Sequence, residues 1–247
     1  MDRSVYIAMG GARDAMRLHA TQAHNLANSQ TVGFRADLSK AESQPLTGPG
    51  FADRVHATQT GERMPDLRPG PVNQTGRDLD IAIAGEGFLM VQGNDGAEVF
   101  SRAGNLRVDG GGMLVDHANR PVLGNSGPVV LPPYEKLEIA RDGSISIRPA
   151  GETDGPLNIV DRLRLSRPNP EDLVKTADGT IRQRSGAPAL PNASVVVTTG
   201  ALESSNVEPV GALVQMIELQ RQFEMHIKFI ENSEENDRAA TRLLSMR

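Results

Sequence analysis

Residues 79–102 read LDIAIAGEGFLMVQGNDGAEVFSR, and this stretch decides the fold of the chain. Every second residue in 79–83 is a large apolar one, which is the period of a strand with one buried face. Two more apolar runs, 87–92 and 97–102, flank the turn sequence Asn94-Asp95-Gly96. Such a turn between two apolar runs predicts a β-hairpin.

Short segments of the same kind follow the hairpin at fairly regular intervals. A further Asp-Gly turn signal stands at Asp142-Gly143. Many short strands with turn signals between them are typical of an all-β module. The segments predicted as strands are 113–116, 120–123, 137–140, 144–148, 161–165, 180–184 and 194–198.

The N-terminal sequence has a helical period instead. Its apolar residues alternate spacings of four and three, with His19 filling the one gap, as in the seam of a coiled coil. We therefore predict a helix over residues 3–27, with Asn28 and Gly33 just beyond it, where positive φ is tolerated. The seam residues are Val5, Met9, Ala12, Met16, Ala23 and Leu26.

The sequence after Gly200 predicts a second long helix, because its apolar residues again follow a four-three ladder. Residues 205–208 could form a capping box, or Pro209 could instead open the helix. The ladder residues are Leu213, Met216, Phe223, Ile227, Ile230 and Leu244, and polar residues interrupt the ladder at Gln220, Glu234, Asp237 and Thr241.

Residues 35–75 have no sustained period and contain breakers such as Thr47-Gly48-Pro49-Gly50, so we expect an extended connector arm. The predicted fold is mainly β with α termini: a central all-β domain flanked by coiled-coil-like helices that pair. The expected division is an N-terminal helix in 1–34, the arm in 35–75, the β domain in 76–199 and a C-terminal helix in 200–247. An isolated amphipathic helix is marginal in water, so both seams need partners.

Composition excludes several classes of protein. The net charge is −5, from 26 basic and 31 acidic residues, which disfavours binding to nucleic acid. The chain has no Cys, so thiolate metal sites, disulfides and Cys nucleophiles are excluded. No apolar run approaches the ~18 residues of a membrane span, so no membrane insertion is expected. Residues 4–12 imitate a short signal sequence, but we expect no cleavage because the helical pattern continues through them.

A search for catalytic or cofactor motifs yields little. A dinucleotide fingerprint would need a third Gly where Met90 stands after Gly85 and Gly87. The five His lack the spacing of a metallohydrolase. Asp78 and Asp80 would share one strand face, but no further ligand lies at loop spacing. We therefore predict no catalytic residue, no cofactor and no metal.

Three stretches together resemble the axial proteins of the bacterial flagellum, the family of rod and hook proteins. The first is AHNLANSQTVGFR at 23–35, which is similar to the family's N-terminal signature. The second is GRDLDIAI at 76–83 with FSRAGN at 100–105, which resembles the central β module. The third is GALESSNV at 200–207 with QRQFE at 220–224, which is similar to the C-terminal signature. Ser29-Gln30 and Val32 depart from the residues often found in the first signature.

The resemblance implies a structural protein that is not an enzyme. In this family, subunits stack helically in the rod of the basal body, with terminal helices lining an export channel and β domains outside. Length and both chain ends favour the proximal-rod member, with the distal-rod member as the alternative. The partners implied are other rod proteins, copies of the same chain and the flagellar type III export apparatus, which would export the chain unfolded and uncleaved.

The expected assembly interface has two parts. The two helix seams given above would pack with neighbouring copies, or with each other alone. Asn25, Asn28, Gly33 and Phe34 would fix how the chain leaves the helix, or would simply end it. A rival hypothesis is a secreted ligand-binding β protein or enzyme with helical tails, which would require a concave cluster of carboxylates. A coiled-coil adaptor would lack the β module.

Overall fold

The structure is a computed structural model, and it describes residues 3–45, 55–151, 155–176, 179–186 and 188–245. It is mainly β, with one long helix near each end, as the sequence predicts. The elements are α1 (Arg3–Ala27), β1 (Asp37–Pro45), β2 (Val55–Pro65), β3 (Val72–Gln74), β4 (Ile81–Ala84), β5 (Phe88–Gln92), β6 (Glu98–Ser101), β7 (Arg107–Val108), β8 (Leu114–Val115), β9 (Tyr134–Ile139), β10 (Ser144–Pro149), β11 (Asn158–Arg162), β12 (Leu165–Ser166), a 3₁₀ turn (Pro170–Asp172), β13 (Leu173–Lys175), β14 (Ile181–Gln183), β15 (Val196–Thr199), β16 (Ala201–Glu203) and α2 (Pro209–Ser245).

The chain forms two compact units that do not follow chain order. The helical unit comprises Met1–Ala27, Asp37–Glu62 and Glu208–Arg247. The β unit comprises Asn28–Ala36 and Arg63–Val207. The predicted division into two terminal helices, a connector arm and a β domain stays a prediction.

In the helical unit, α1 contacts both α2 and β1. The bounds of α1 agree with the predicted residues 3–27. Pro209 opens α2, and the first helical hydrogen bond runs from the Ala212 N–H to the Glu208 carbonyl at 3.0 Å. Proline suits this first position because the missing N–H would have no partner within the helix. The pairing of the two helices as a coiled coil stays a prediction.

The connector predicted over 35–75 contains three strands, β1, β2 and β3. β1 and β2 are neighbours in a sheet. This pairing was not predicted, because residues 35–75 have no sustained period. The breaker at 47–50 lies outside the described residues.

The β unit is built around the predicted hairpin. β5 and β6 pair antiparallel, with Leu89 opposite Ser101 and Gln92 opposite Glu98. Strands β13, β14, β6, β5 and β12 lie side by side in that order. Residues 120–123, predicted as a strand, form only isolated bridges, such as the one between Val122 and Val91.

The late strands of the β unit pair with its early ones. β15 pairs with β4, and β16 pairs with β3. A separate three-stranded sheet has the order β11-β10-β9. The apolar core includes Ile81, Leu89, Val91, Val99, Leu106, Leu114, Val122, Ile145, Ile147 and Val197. Segments that are far apart in sequence are therefore neighbours in the β unit.

Among the described residues, no helix is both long and apolar enough to cross a membrane.

Candidate functional site

The face of α1 that is buried within the helical unit consists of alanines. Ala8, Ala12 and Ala15 are all buried, and their spacing of four and three places them on one helix face. Met9 and Met16, which the sequence analysis assigned to the seam, are 54% and 59% exposed. The seam chosen from large apolar residues is thus rotated from the buried face by about one residue.

Of the other predicted seam residues of α1, Ala12 is buried, and Val5, Ala23 and Leu26 are half-buried. Tyr6 is exposed, like Met9 and Met16. These three side chains share a helix face of their own, which we call the α1 outer stripe.

Helix α2 also has two faces. Ala212 is buried, and Met216, Phe223, Ile227 and Ile230 are half-buried. Leu213, which was also predicted for the seam of α2, is instead exposed. It belongs to a second apolar face, the α2 outer stripe, made of Val210, Leu213, Val214 and Ile217.

Asn25 fastens the start of β1 to the end of α1. Its Nδ2 donates to the Asp37 carbonyl at 3.0 Å, and its Oδ1 accepts from the Asp37 N–H at 2.7 Å. Both residues are buried. One side-chain amide thus satisfies both backbone groups of Asp37, as a neighbouring strand would. His24 Nε2 lies 3.7 Å from Asp37 Oδ2.

In the β unit, the residues after α1 make a turn that ends in close contact with two other segments. The Thr31 N–H donates to the Asn28 carbonyl at 3.1 Å, and the Gly33 N–H donates to the Glu203 carbonyl at 2.8 Å. Gly33 has φ of +68°, and a Cβ there would lie 2.2 Å from the Arg102 carbonyl carbon. Only glycine fits this position, both for its conformation and for its space.

Phe34 is held by a cation. Lys175 Nζ lies 3.8 Å from the centroid of the Phe34 ring and donates to the Arg35 carbonyl at 2.7 Å. Lys175 is buried, so the cation–π contact is shielded from water, which strengthens it.

The next residue belongs to a buried ionic group, which we call the junction cluster: Arg35, Arg102 and Glu203. Arg102 Nη1 donates to Glu203 Oε2 at 2.8 Å. Arg35 Nη2 lies 2.8 Å from Glu203 Oε1 as an ion pair, although its N–H direction departs from hydrogen-bond geometry. The side chains of Arg35, Arg102 and Glu203 are only 2%, 3% and 1% exposed.

Two guanidinium groups therefore share one carboxylate away from water. Burial lowers the pKa of Arg35 from its ordinary value, Glu203 opposes this shift and the charge of Arg102 adds to it. Burial likewise lowers the pKa of Arg102, against the opposing charge of Glu203. The Nε atoms of both arginines are buried without a hydrogen-bond partner among the described residues. Glu203 thus compensates a charge that would otherwise be very costly to bury.

Asn206 completes the junction. Its Oδ1 accepts from the Ala36 N–H at 2.7 Å, and its Nδ2 donates to the carbonyls of Asp66 at 3.0 Å and Arg68 at 2.9 Å. Asp66 accepts from Arg68 through both carboxylate oxygens, Oδ2 at 2.6 Å from Nη2. The segments 34–36 and 203–206, which lead from α1 and into α2, are thereby held together inside the β unit.

Helical spacing and turn signals did not single out Arg35, Arg102, Glu203 or Asn206 for the site. All four lie inside the three stretches quoted for the family resemblance, and each stretch contributes at least one of them. The four residues could thus have been selected because they belong to the stretches that resemble the family. The contacts themselves could not be predicted, because Arg102 and Glu203 are 101 positions apart.

The structure offers no arrangement suited to catalysis by the carboxylates considered above. Asp78 is exposed, whereas Asp80 is buried with Oδ1 3.4 Å from Arg77 Nε. In the β unit, a groove of about 310 Å³ is lined by Met90, Phe100, Glu98 and neighbouring residues, without His or a hydroxyl side chain. No group of three or more His, Asp or Glu residues that could hold a metal occurs in the described part of the chain.

Two family models match this chain. Residues 82–147 match the model described as the flagellar hook protein FlgE/F/G D1 domain, and residues 198–243 match the flagellar basal body rod FlgEFG protein C-terminal model. The first covers much of the β unit. The second covers β16 and most of α2.

Whole-chain relatives agree with these matches. The flagellar basal-body rod protein FlgF of Salmonella typhimurium is 37% identical over 100% of both chains, and the Escherichia coli FlgF is 36% identical over the same share. The rod protein FlgG of Bacillus subtilis is 29% identical over 95% of this chain and 96% of its own. Because these matches cover the whole chain, they include all three stretches that resemble the family. The chain therefore belongs to the flagellar basal-body rod protein family, in its FlgF branch.

Proposed function

We propose that this chain is a structural subunit of the proximal rod of the flagellar basal body, which self-assembles helically through its terminal helices to build the drive shaft and export channel. Other rod proteins and copies of itself are its partners. No chemical reaction is part of this function.

The observation that carries the proposal is where the exposed apolar side chains lie. Ten of the seventeen large apolar side chains that are exposed among the described residues belong to α1 or α2. The two outer stripes hold seven of them. Fully burying one such side chain contributes about 1.5–3 kcal/mol, and these are already about half buried. A contact with a neighbouring subunit would therefore gain roughly 1 kcal/mol from each.

The structure also supports a division of the helix residues into those that pack within the chain and those that are open to a neighbouring subunit. The alanine face of α1 is used within the chain, which leaves Met9 and Met16 for a neighbour. On α2, Met216, Phe223, Ile227 and Ile230 are partly covered within the chain, and Leu213 is open. Asn25, Asn28, Gly33 and Phe34 act in this proposal as positioning residues for the segment that follows α1.

The test uses Met16→Asp and Ile217→Asp, one in each outer stripe, expressed in a bacterium that lacks its own copy of this subunit. Because both side chains are exposed, the variants should keep the wild-type Tm as monomers but fail to support swimming or yield complete basal bodies. Leu190→Asp is the matched control, since Leu190 is 80% exposed but lies in the β unit. Normal swimming with both helix variants would contradict the proposal, and loss of swimming with Leu190→Asp alone would move the contact to the β unit.

The distal rod is the alternative position, and the FlgF relatives of higher identity favour the proximal one. Complementation separates the two: the gene should restore swimming to a strain that lacks FlgF and not to one that lacks FlgG. The opposite result would assign the chain to the distal rod.

Export by the flagellar type III apparatus without cleavage is part of the proposal, and family membership is its support. Mass spectrometry of the subunit in purified basal bodies should find the N-terminal peptide intact. A new N-terminus after residues 4–12 would show that this segment is a cleaved signal.

A further inference from the structure

Gly11 lies in the middle of α1 directly beneath the imidazole of His226 on α2. A Cβ at Gly11 would lie 2.4 Å from His226 Cε1, 2.6 Å from Nε2 and 2.9 Å from Nδ1. A Cβ does not approach other atoms so closely, so any larger residue at position 11 would require the half-buried His226 ring to move. Both residues belong to the helical unit.

Gly10 provides the contrast. It precedes Gly11 in the same helix, yet a Cβ at Gly10 would meet no atom within 4 Å. Glycine is among the poorest helix formers in a helix interior, and two in succession weaken α1. Packing explains the glycine at position 11 and leaves the one at position 10 without that explanation.

The positions one turn away on the same face of α1 are filled. Ala8 and Ala15 are buried there, and each carries the Cβ that Gly11 lacks. If α1 slid along α2 by one turn, about 5.4 Å, the ring of His226 would meet an alanine methyl group. The alanine face permits several registers of similar apolar burial, whereas only the register at Gly11 admits the ring in the position that it has.

We propose that Gly11 and His226 form a steric key that fixes the axial register of α1 on α2. The key acts as the single polar residue of a coiled-coil seam does, by making one register better than its neighbours. It determines which residues of α1 lie opposite which residues of α2, and therefore the axial positions of the two outer stripes relative to each other. This inference goes beyond the proposed function, and its test uses the monomer, so its outcome is independent of rod assembly.

The stability test compares two neighbouring glycines in the full chain. Gly10→Ala should raise the Tm of the helical transition by roughly 2 °C, because alanine restricts the unfolded chain and favours the helix. Gly11→Ala should lower it by about 4 °C or more, because the methyl group displaces the ring. In a His226→Ala background, Gly11→Ala should raise the Tm as Gly10→Ala does. A rise for Gly11→Ala in the wild-type background, or a fall that His226→Ala does not relieve, would overturn the key.

The register can be tested with spin labels on two introduced cysteines, because the chain has no native Cys that would also be labelled. Spin labels at Met9→Cys and Met225→Cys, both exposed on the helices, report the distance between α1 and α2. We expect one narrow distance in the wild type and in Gly10→Ala. In His226→Ala we expect a broadened distribution with components separated by about one turn, 5.4 Å. A distribution that stays narrow and unshifted in His226→Ala would refute the assignment of register to this pair, whatever the Tm shows.

Discussion

Replacing Glu203 by glutamine should destabilise the junction cluster while barely changing the shape of the side chain. The amide keeps one oxygen that can accept from the Gly70 N–H, which donates to Glu203 Oε1 at 2.9 Å. It removes the carboxylate charge that, in the described part of the chain, lies within 3 Å of both Arg35 and Arg102. The variant therefore tests electrostatics rather than packing.

The magnitude follows from burial. The two guanidinium groups are 2% and 3% exposed, so water cannot screen the charge that Glu203 leaves behind. Removing one partner of a buried ion pair costs about 3–5 kcal/mol, against a total stability of about 5–15 kcal/mol for a domain. For a unit of this size we expect the Tm to fall by about 10 °C.

Urea and thermal denaturation of the purified chain, followed by circular dichroism in the β region, measure the change. Glu138→Gln is the matched control: it removes the same charge from a half-exposed pair, with Lys136 Nζ 3.8 Å from Glu138 Oε2, and should cost less than about 1 kcal/mol. Adding Arg35→Met to Glu203→Gln should recover part of the loss, since one uncompensated charge disappears. Equal Tm values for Glu203→Gln and Glu138→Gln would refute the reasoning.

Two further predictions concern Asn25 in the helical unit and Asp66 in the β unit. Asn25→Ala should destabilise the helical unit by about 2–3 kcal/mol, because the buried N–H and C=O of Asp37 both lose their partner, and hydrogen exchange of the Asp37 amide should accelerate; an unchanged exchange rate would argue against the clamp. Burial would raise the pKa of Asp66, but hydrogen bonds from Arg68 outweigh it and hold that pKa below its ordinary value, so its stabilising effect is present above about pH 4 and is lost as the pH falls through the lowered pKa. Asp66→Asn should therefore make the stability of the β unit less dependent on pH in that acidic range, and an unchanged slope in acid denaturation would contradict this.

Local periodicity predicted the elements well. The four-three spacing gave α1 its bounds, and the Asn94-Asp95-Gly96 turn gave the β5–β6 hairpin. These features depend on neighbours in sequence, so a sequence contains the information directly. Between 113 and 130 the backbone pairs over only one or two residues at a time, in β8 and in isolated bridges. Segments this short have no period that could set their limits, and the predicted limits were correspondingly poor.

The buried face of α1 shows why seams are harder to predict than helices. Met9 and Met16 were predicted for the seam because they fit the four-three spacing of apolar residues. The helical unit buries Ala8 and Ala15 instead, because close approach of two helices favours small side chains. Val5, Ala12 and Leu26 fit either seam, so the pattern could not distinguish the two. The larger side chains are left for the outside of the helix.

The burial of two arginines around one glutamate in the junction cluster favours one arrangement of the chain over others. A buried ion group contributes little stability compared with well-packed apolar residues, but its loss of a partner is severely penalised. An arrangement in which β16 is missing or shifted would leave Arg35 and Arg102 uncompensated, and is therefore disfavoured far more than a misplaced apolar strand would be. Glu203 and Asn206 hold the segment before α2 against the segment after α1. The free-energy cost of losing these contacts therefore disfavours a different course of either segment. Every copy of the chain therefore keeps the same course in both segments, which the proposed helical assembly would require of its subunits.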